Sequence, residues 1–296
     1  MIVKKIDIHS HCLKEHKIPF FWSGDGTSDF LTPDEMRESM EYHNVEKSVL
    51  LPIVASEHYH QYLNNEVAEE LYNTYPDMFY WFCCIDPRWG GNYGKSDMTY
   101  FLEYYKARGA KGIGEITANI PFDDHRVWNL FKAAEKCDMP VLFHIGPKDM
   151  EYGLVDELGL PRLERSLKQF PNLKFIGHSA MFWAEISSDA TEENRNDYPT
   201  GPVTPGRVPY LMEHYQNLYC DVSAGSGGNA IMRDEAFGIS FLEKYQDRIF
   251  FGMDVCGAGS RMELSFYLDK LVESGKLSQT AYNKICRENA LKILEA

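Results

Sequence analysis

The segment Pro140-Val141-Leu142-Phe143-His144-Ile145 is an almost continuous apolar run of the length of a β-strand. Strands that are buried on both faces have this pattern, and parallel sheets bury both faces under helices. We therefore predict a buried parallel strand here. Similar short, β-rich segments recur along the chain. Together they give eight predicted strands: Val3–Ile8, Lys47–Val54, Phe79–Ile85, Lys111–Ile116, Pro140–Ile145, Leu173–Gly177, Asn217–Val222 and Arg248–Gly252.

Helix signals lie between these strands. Thr32-Pro33-Asp34-Glu35 combines an N-cap threonine, a proline at the first helical position and the glutamate of a capping box. Asp124 is a candidate N-cap, Pro161 opens a further helix, and the last helix is predicted over Leu277–Leu294. The glycine-rich segment 225–228 lacks the lysine and spacing of a phosphate-binding loop, and we predict a loop there after the seventh strand.

Eight strands with a helix after most of them predict the α/β class and a (β/α)8 TIM barrel, formed as a single domain by residues 1–296. An open doubly wound sheet is the alternative. The longest irregular segments follow strand ends, where barrel enzymes build their active sites. These segments are Leu13–Leu31, Trp89–Asp97, Pro147–Leu160 and Phe182–Gly206.

Composition excludes several classes of protein. The chain has 296 residues, 44% of them hydrophobic, and a formal charge of −14. Without a cluster of basic residues, this charge disfavours binding to nucleic acid or to an anionic membrane. No apolar run is long enough to span a membrane, and seven cysteines without a CxxC pair argue against a disulfide framework. We expect a cytoplasmic protein that acts on a small molecule.

Ionisable residues stand where several predicted strands end. His9 and His11 are two residues apart on the first strand, so their side chains can converge on one point. Four further strands each deliver one such residue at the end of an apolar run: Glu115, His144, His178 and Asp254. Imidazole and carboxylate groups are ligands of zinc and related divalent ions. Because five predicted strands each place a potential metal ligand at their end, we predict a metal site.

These residues, in this chain order, resemble the amidohydrolase superfamily over essentially the whole chain. The similarity is greater to the branch of aminocarboxymuconate semialdehyde decarboxylase, related aromatic-acid decarboxylases and lactonases. The closing segment Cys286–Leu294 is also similar to the C-terminal helix of that branch.

The resemblance implies a role for each residue. His9, His11, His144 and Asp254 would hold a metal ion, for which zinc is favoured and manganese is possible. His178 would ligate a second ion or face the reacting group. Glu115 would bridge two ions in a binuclear site. The resemblance therefore allows either one or two ions per chain.

Two reactions fit this ligand set. The first is hydrolysis of a small lactone, amide or ester by metal-activated water, in which Asp254 transfers the proton and His178 assists. The second is non-oxidative decarboxylation of an aromatic or unsaturated acid. A barrel that binds metal or ligand without turnover is a third hypothesis.

The substrate pocket and the oligomeric state are predicted from less specific features. Aromatic and basic residues in the loops after the strands suggest a carboxylate-bearing substrate. The predicted substrate contacts are Trp22, Arg88, Lys148, Trp183 and Arg207. We expect a homo-oligomer, with a dimer as the first guess.

Overall fold

Parallel strands form the centre of the molecule, in a computed structural model that describes residues 1–16, 30–58, 63–89, 96–148 and 152–295. Nine strands lie within these ranges. They are β1 (Lys5–Ser10), β2 (Val45–Leu50), β3 (Phe79–Trp81), β4 (Ile113–Ile116), β5 (Val141–Gly146), β6 (Leu154–Val155), β7 (Phe175–His178), β8 (Leu218–Asp221) and β9 (Ile249–Phe250). Each of the eight predicted strands overlaps one of these, and the ninth, β6, is a two-residue strand that pairs with β5.

The strands close into a barrel. One parallel sheet has the order β1-β2-β3, and the other has the order β4-β5-β7-β8-β9. Between β3 and β4, the amide of Cys83 donates to the Gly112 carbonyl at 2.9 Å. Between β9 and β1, the amide of Ile8 donates to the Phe251 carbonyl at 3.0 Å. Because both seams are hydrogen-bonded, the predicted (β/α)8 barrel is confirmed, and the open sheet is excluded.

Helices cover the outside of the barrel. They are α1 (Pro33–Tyr42), α2 (Asn65–Thr74), α3 (Thr99–Lys106), α4 (His125–Lys136), α5 (Pro161–Gln169), α6 (Ala180–Ala184), α7 (Arg207–His214), α8 (Ala224–Met232), α9 (Glu235–Lys244), α10 (Glu263–Glu273), α11 (Gln279–Asn283) and α12 (Asn289–Leu294). A 3₁₀ turn spans Ser56–His58, and a π-helical turn, Lys284–Glu288, joins α11 to α12. None of the described helices combines the length and apolar character needed to cross a bilayer.

The predicted helix starts are confirmed, and one loop prediction is wrong. Thr32 and Glu35 form the capping box of α1, Asp124 caps α4, and Pro161 begins α5. The glycine-rich segment 225–228, predicted to be a loop, lies inside α8. A Cβ on Gly227 would lie 2.4 Å from the backbone of Val222, so glycine allows a helix to begin directly against the end of β8.

The barrel interior holds an apolar cluster below the polar strand ends. Ile8, Leu142 and Ile176 come from strands around the barrel, Phe82 directly follows β3, and all four belong to one cluster of buried side chains. Strands that are not neighbours can meet in this way only across the interior. Leu294 of α12 joins the same cluster, so α12 closes the end of the barrel opposite the strand ends that carry the polar residues.

Candidate active site

The carboxyl ends of the strands bring the six predicted metal-site residues together. They are His9, His11, Glu115, His144, His178 and Asp254. His9, His11, Glu115 and His178 are buried, whereas the side chains of His144 and Asp254 are 17% and 14% exposed. The site therefore opens to solvent at His144 and Asp254.

We call His9, His11, Glu115 and Asp254 the first donor group. The Nε2 atoms of the two histidines are 3.2 Å apart, and each lies 3.5 Å from Oε2 of Glu115. Oδ1 of Asp254 lies 3.6 Å from Nε2 of His9 and 3.5 Å from Nε2 of His11. Four tetrahedral ligands at zinc distances are separated by roughly 3.3 to 3.6 Å, so these spacings fit one divalent ion.

Hydrogen bonds orient both histidines of this group toward the same point. Nδ1 of His11 faces the Leu51 carbonyl at 2.9 Å, and Nδ1 of His9 faces Oδ2 of Asp221 at 2.7 Å. A carbonyl and a carboxylate can only accept, so each Nδ1 carries a proton, and each ring can ligate only through Nε2, once that atom has lost its own proton. Two lone pairs 3.2 Å apart repel unless a cation or a proton lies between them. The donor set therefore fits a metal ion.

Glu115, His144, His178 and Asp254 form the second donor group. Nδ1 of His144 lies 2.7 Å from Oε1 of Glu115. Nε2 of His178 lies 3.3 Å from Oδ2 of Asp254 and 4.0 Å from Oε1 of Glu115. Glu115 and Asp254 thus belong to both donor groups. Each directs one oxygen toward His9 and His11 and the other toward a histidine of the second group.

For most ionisable groups of this site, nearby charges shift the pKa more than burial does. Burial alone would raise the pKa of both Glu115 and Asp254, but the surrounding imidazoles hold each pKa well below its ordinary value. Burial would lower the pKa of His9, but the nearby carboxylates raise it well above its usual range. For His144 burial prevails, and its pKa is lowered. The site therefore keeps its carboxylates charged, which favours a bound cation.

Comparison with known proteins identifies the family of the chain. The sequence profile of the family described as amidohydrolase matches residues 6–295. The chain belongs to the amidohydrolase family. The predicted resemblance is thus confirmed, and no curated protein sequence matches the chain.

Solved structures similar to this amidohydrolase share its barrel at low sequence identity. An uncharacterised TIM-barrel protein from Bordetella bronchiseptica has a TM-score of 0.66 and 16% identity over 99% of each chain. A 5-carboxyvanillate decarboxylase from Novosphingobium aromaticivorans, with bound manganese, has a TM-score of 0.62 and 16% identity over 99% of this chain and 97% of that one. A probable 2-pyrone-4,6-dicarboxylic acid hydrolase from Acinetobacter baumannii has a TM-score of 0.62 and 13% identity over 99% and 100%.

Asp221, at the end of β8, supports the site of this amidohydrolase and was not identified from the sequence. Besides His9, its Oδ2 accepts a hydrogen bond from the Ser223 hydroxyl at 2.9 Å and lies 3.4 Å from Nδ1 of His178. The Ser223 hydroxyl is also 3.0 Å from Nδ1 of His178. Asp221 is fully buried, so its carboxylate fixes histidines of both donor groups from behind. The sequence pattern could have indicated Asp221, because it is an ionisable residue at the end of a mostly apolar strand.

Four of the five predicted substrate contacts lie within the described residues, and their environments differ. Arg88 forms ion pairs with Glu57 and Asp86, each at 2.7 Å. Trp183 is buried and donates its indole N–H to the Asp221 carbonyl at 2.9 Å. Lys148 is exposed, two residues beyond β5.

Of the other two contacts, Arg207 donates to the Gly159 carbonyl at 2.6 Å and pairs with Glu164. Trp22 lies outside the described residues. For all five residues, substrate binding stays a prediction.

Gly252 leaves room for Asp221, and we expect Gly252→Ala to weaken metal binding. An added Cβ would lie 2.4 Å from Oδ1 of Asp221, 2.8 Å from Cβ of Ser223 and 3.2 Å from Cβ of His9, so the carboxylate that holds His9 must shift. Displacing the partner of a ligating histidine lowers metal affinity about 10- to 100-fold. Metal titration of the purified variant measures this effect.

Gly228→Ala is the matched control for Gly252→Ala. Its Cβ would meet only the flexible end of Met232, at 3.2 Å, and Cβ of Leu264, at 3.8 Å. We expect it to bind metal normally. Equal affinity in the two alanine variants would contradict the role given to Gly252.

Proposed function

We propose that this amidohydrolase is a metal-dependent hydrolase of a small lactone, amide or ester, and that the substrate bears a carboxylate, in view of the basic loop residues. The supporting observation is that Glu115 and Asp254 each direct one oxygen to the His9–His11 pair and the other to the histidines of the second donor group. Carboxylates placed between two sets of imidazoles favour a bridged pair of ions and a hydrolytic reaction.

The residues divide into those that would hold metal and those that would handle protons. The first donor group would hold one ion, and Glu115, His144 and His178 could hold another, with zinc favoured and manganese as the alternative. A bound divalent ion lowers the pKa of water from 15.7 to about 7 and polarises a carbonyl group.

Asp254 is placed to move the proton of this reaction. Its side chain is partly exposed at the mouth of the site, and Oδ2 is not among the atoms of the first donor group. It would accept a proton from the attacking water and return it to the leaving group. In a site with a single ion, Nε2 of His178 would instead orient the substrate carbonyl, because Ser223 and Asp221 hold its Nδ1.

Decarboxylation is the second candidate, and similarity to solved structures favours it. Several similar structures are decarboxylases of dihydroxybenzoates and of 5-carboxyvanillate, and some of them contain manganese. The same donor set would bind a substrate carboxylate together with a neighbouring oxygen. Glu115, which fills one position of the first donor group, argues for the hydrolase.

Metal analysis followed by a substrate panel separates the two reactions. We expect two ions per chain and acid release from a lactone or ester without CO2. Dialysis against a chelator should abolish this activity, and added zinc or manganese should restore it. One ion per chain with CO2 release from an aromatic acid would establish the decarboxylase instead. Bound metal without either product would support the third hypothesis, a barrel that binds metal or ligand without turnover.

Two further properties stay predictions. We propose a cytoplasmic location and a homodimer. Sedimentation of the purified protein tests whether it is a homodimer.

A further inference from the structure

The segment between α6 and α7 places an exposed tyrosine, Tyr198, against the start of α8. Its side chain is 55% exposed. A Cβ on Gly225, in the first turn of α8, would lie 3.0 Å from the Tyr198 hydroxyl oxygen and 3.1 Å from the ring atoms Cε2 and Cζ. The ring therefore lies directly on this turn, where the absence of a side chain leaves room for it.

The start of α8 adjoins the strand end that carries Asp254. The amide of Ala224, the first residue of α8, donates to the Met253 carbonyl at 3.1 Å, and Asp254 is the next residue. Partial burial and the nearby Asp254 carboxylate both raise the pKa of Tyr198. Tyr198 thus stands beside Asp254, at one of the two places where the metal site opens to solvent.

Contacts on both sides of Tyr198 fix the segment that carries it. Three residues earlier, the side chain of Arg195 is 1% exposed, and its Nη1 donates to the Asp156 carbonyl at 3.1 Å. Five residues later, the amide of Val203 donates to Oδ2 of Asp234 at 3.0 Å. An aromatic ring on an anchored segment loses little conformational entropy when it contacts a ligand.

A second tyrosine lies at the other opening of the metal site, beside His144. The ring centroids of Tyr152 and His144 are 4.7 Å apart, and their planes are 57° apart. Each partly exposed member of the donor groups therefore has a tyrosine beside it. Small-molecule sites surround a few polar groups with aromatic walls, and tyrosine rings pack favourably on other flat rings. An opening with tyrosines at both places favours a ligand that contains a flat ring.

We propose that Tyr198 is a specificity-determining residue that contacts the face of a planar, unsaturated ring in the substrate. The inference rests on the function proposed above, and it narrows the substrate to a lactone, amide or ester that contains such a ring. Asp254 and the other donor groups act on the reacting bond, while Tyr198 selects the flat part of the molecule.

Calorimetric titration of the metal-loaded full chain tests the proposal with two probes. Benzoate has a flat ring and cyclohexanecarboxylate a puckered ring of the same size, and both carry one carboxylate that can bind the metal. We expect the original chain to bind benzoate more tightly. Tyr198→Ala should weaken benzoate binding about fivefold, through loss of one aromatic contact, and change cyclohexanecarboxylate binding by less than about twofold. Tyr198→Phe keeps the ring and should keep the preference.

Tyr100→Ala is the matched control, because Tyr100 is a 70% exposed tyrosine of α3, on the outside of the barrel. It should bind both acids like the original chain, and thermal melting checks that each variant is folded. Absence of benzoate binding, equal affinity of the original chain for the two acids, or a preference that survives in Tyr198→Ala would overturn the proposal. An equal loss in Tyr198→Phe or Tyr100→Ala would do so too. Because binding and not turnover is measured, this result is separate from the substrate panel that tests the hydrolase.

Discussion

Asp254→Asn should lower turnover about 10²- to 10⁴-fold, the usual contribution of a positioned acid–base group, while the protein still binds metal. The carboxylate lies at the open mouth of the site, 3.3 Å from Nε2 of His178 and 3.5 Å from Nε2 of His11. Asparagine removes the proton acceptor. The other three members of the first donor group remain, and the amide oxygen can still face them.

Asparagine is a suitable replacement because it preserves the backbone at this position. Asp254 has a φ of 50°, in the left-handed region that asparagine and aspartate tolerate better than other residues with side chains. Its amide donates to the His9 carbonyl at 2.9 Å, and this bond does not depend on the side chain. A loss of turnover therefore reports on the carboxylate and not on the local fold.

Steady-state kinetics and elemental analysis, performed on the same preparation, measure the two effects of Asp254→Asn. Asp77→Asn is the matched control, because this exposed residue pairs with Arg37 and lies in the turn between α2 and the start of β3, at the strand end that does not carry the metal-site residues. We expect it to retain full turnover. Near-normal turnover in Asp254→Asn would contradict the role of Asp254 in proton transfer.

The barrel and its metal-site residues could be predicted because both depend on short-range patterns. Apolar runs mark the buried strands, and an ionisable residue where such a run stops marks the carboxyl end of the strand. Val141-Leu142-Phe143 followed by His144 contains both signals within four residues. The barrel topology then brings residues such as His9 and Asp254 together, although 245 positions separate them in the sequence.

Features that depend on long-range partners could not be predicted in this way. Arg88 and Arg207 are basic loop residues in the sequence, but their partners Glu57 and Glu164 lie 31 and 43 positions away. Trp183 follows a strand end as a pocket residue would, yet it is buried against β8. Only the folded chain determines which loop residues contact each other and which face the substrate.

Asp221→Asn should weaken metal binding about 10- to 100-fold, although Asp221 belongs to neither donor group. Its Oδ2 accepts the Nδ1 proton of His9 at 2.7 Å and thereby directs the Nε2 lone pair into the site. Burial alone would raise the pKa of Asp221, but His9 and His178 lower it to about 2, so the carboxylate is charged when it holds them. An amide at this position lacks the charge and can present an N–H to His9, which disfavours the ligating tautomer.

Comparison with a second buried aspartate separates this effect from general destabilisation. Asp156 is also buried, and its carboxylate accepts hydrogen bonds from the amides of Arg162 and Leu163 at 3.0 and 2.8 Å, at the start of α5. Asp156→Asn should lower the melting temperature and leave the metal dissociation constant unchanged. Asp221→Asn should raise that constant, and Ser223→Ala, which removes only the hydroxyl that supports Asp221 and His178, should raise it less. If Asp221→Asn bound metal as tightly as Asp156→Asn, the orientation of His9 would not depend on its carboxylate partner.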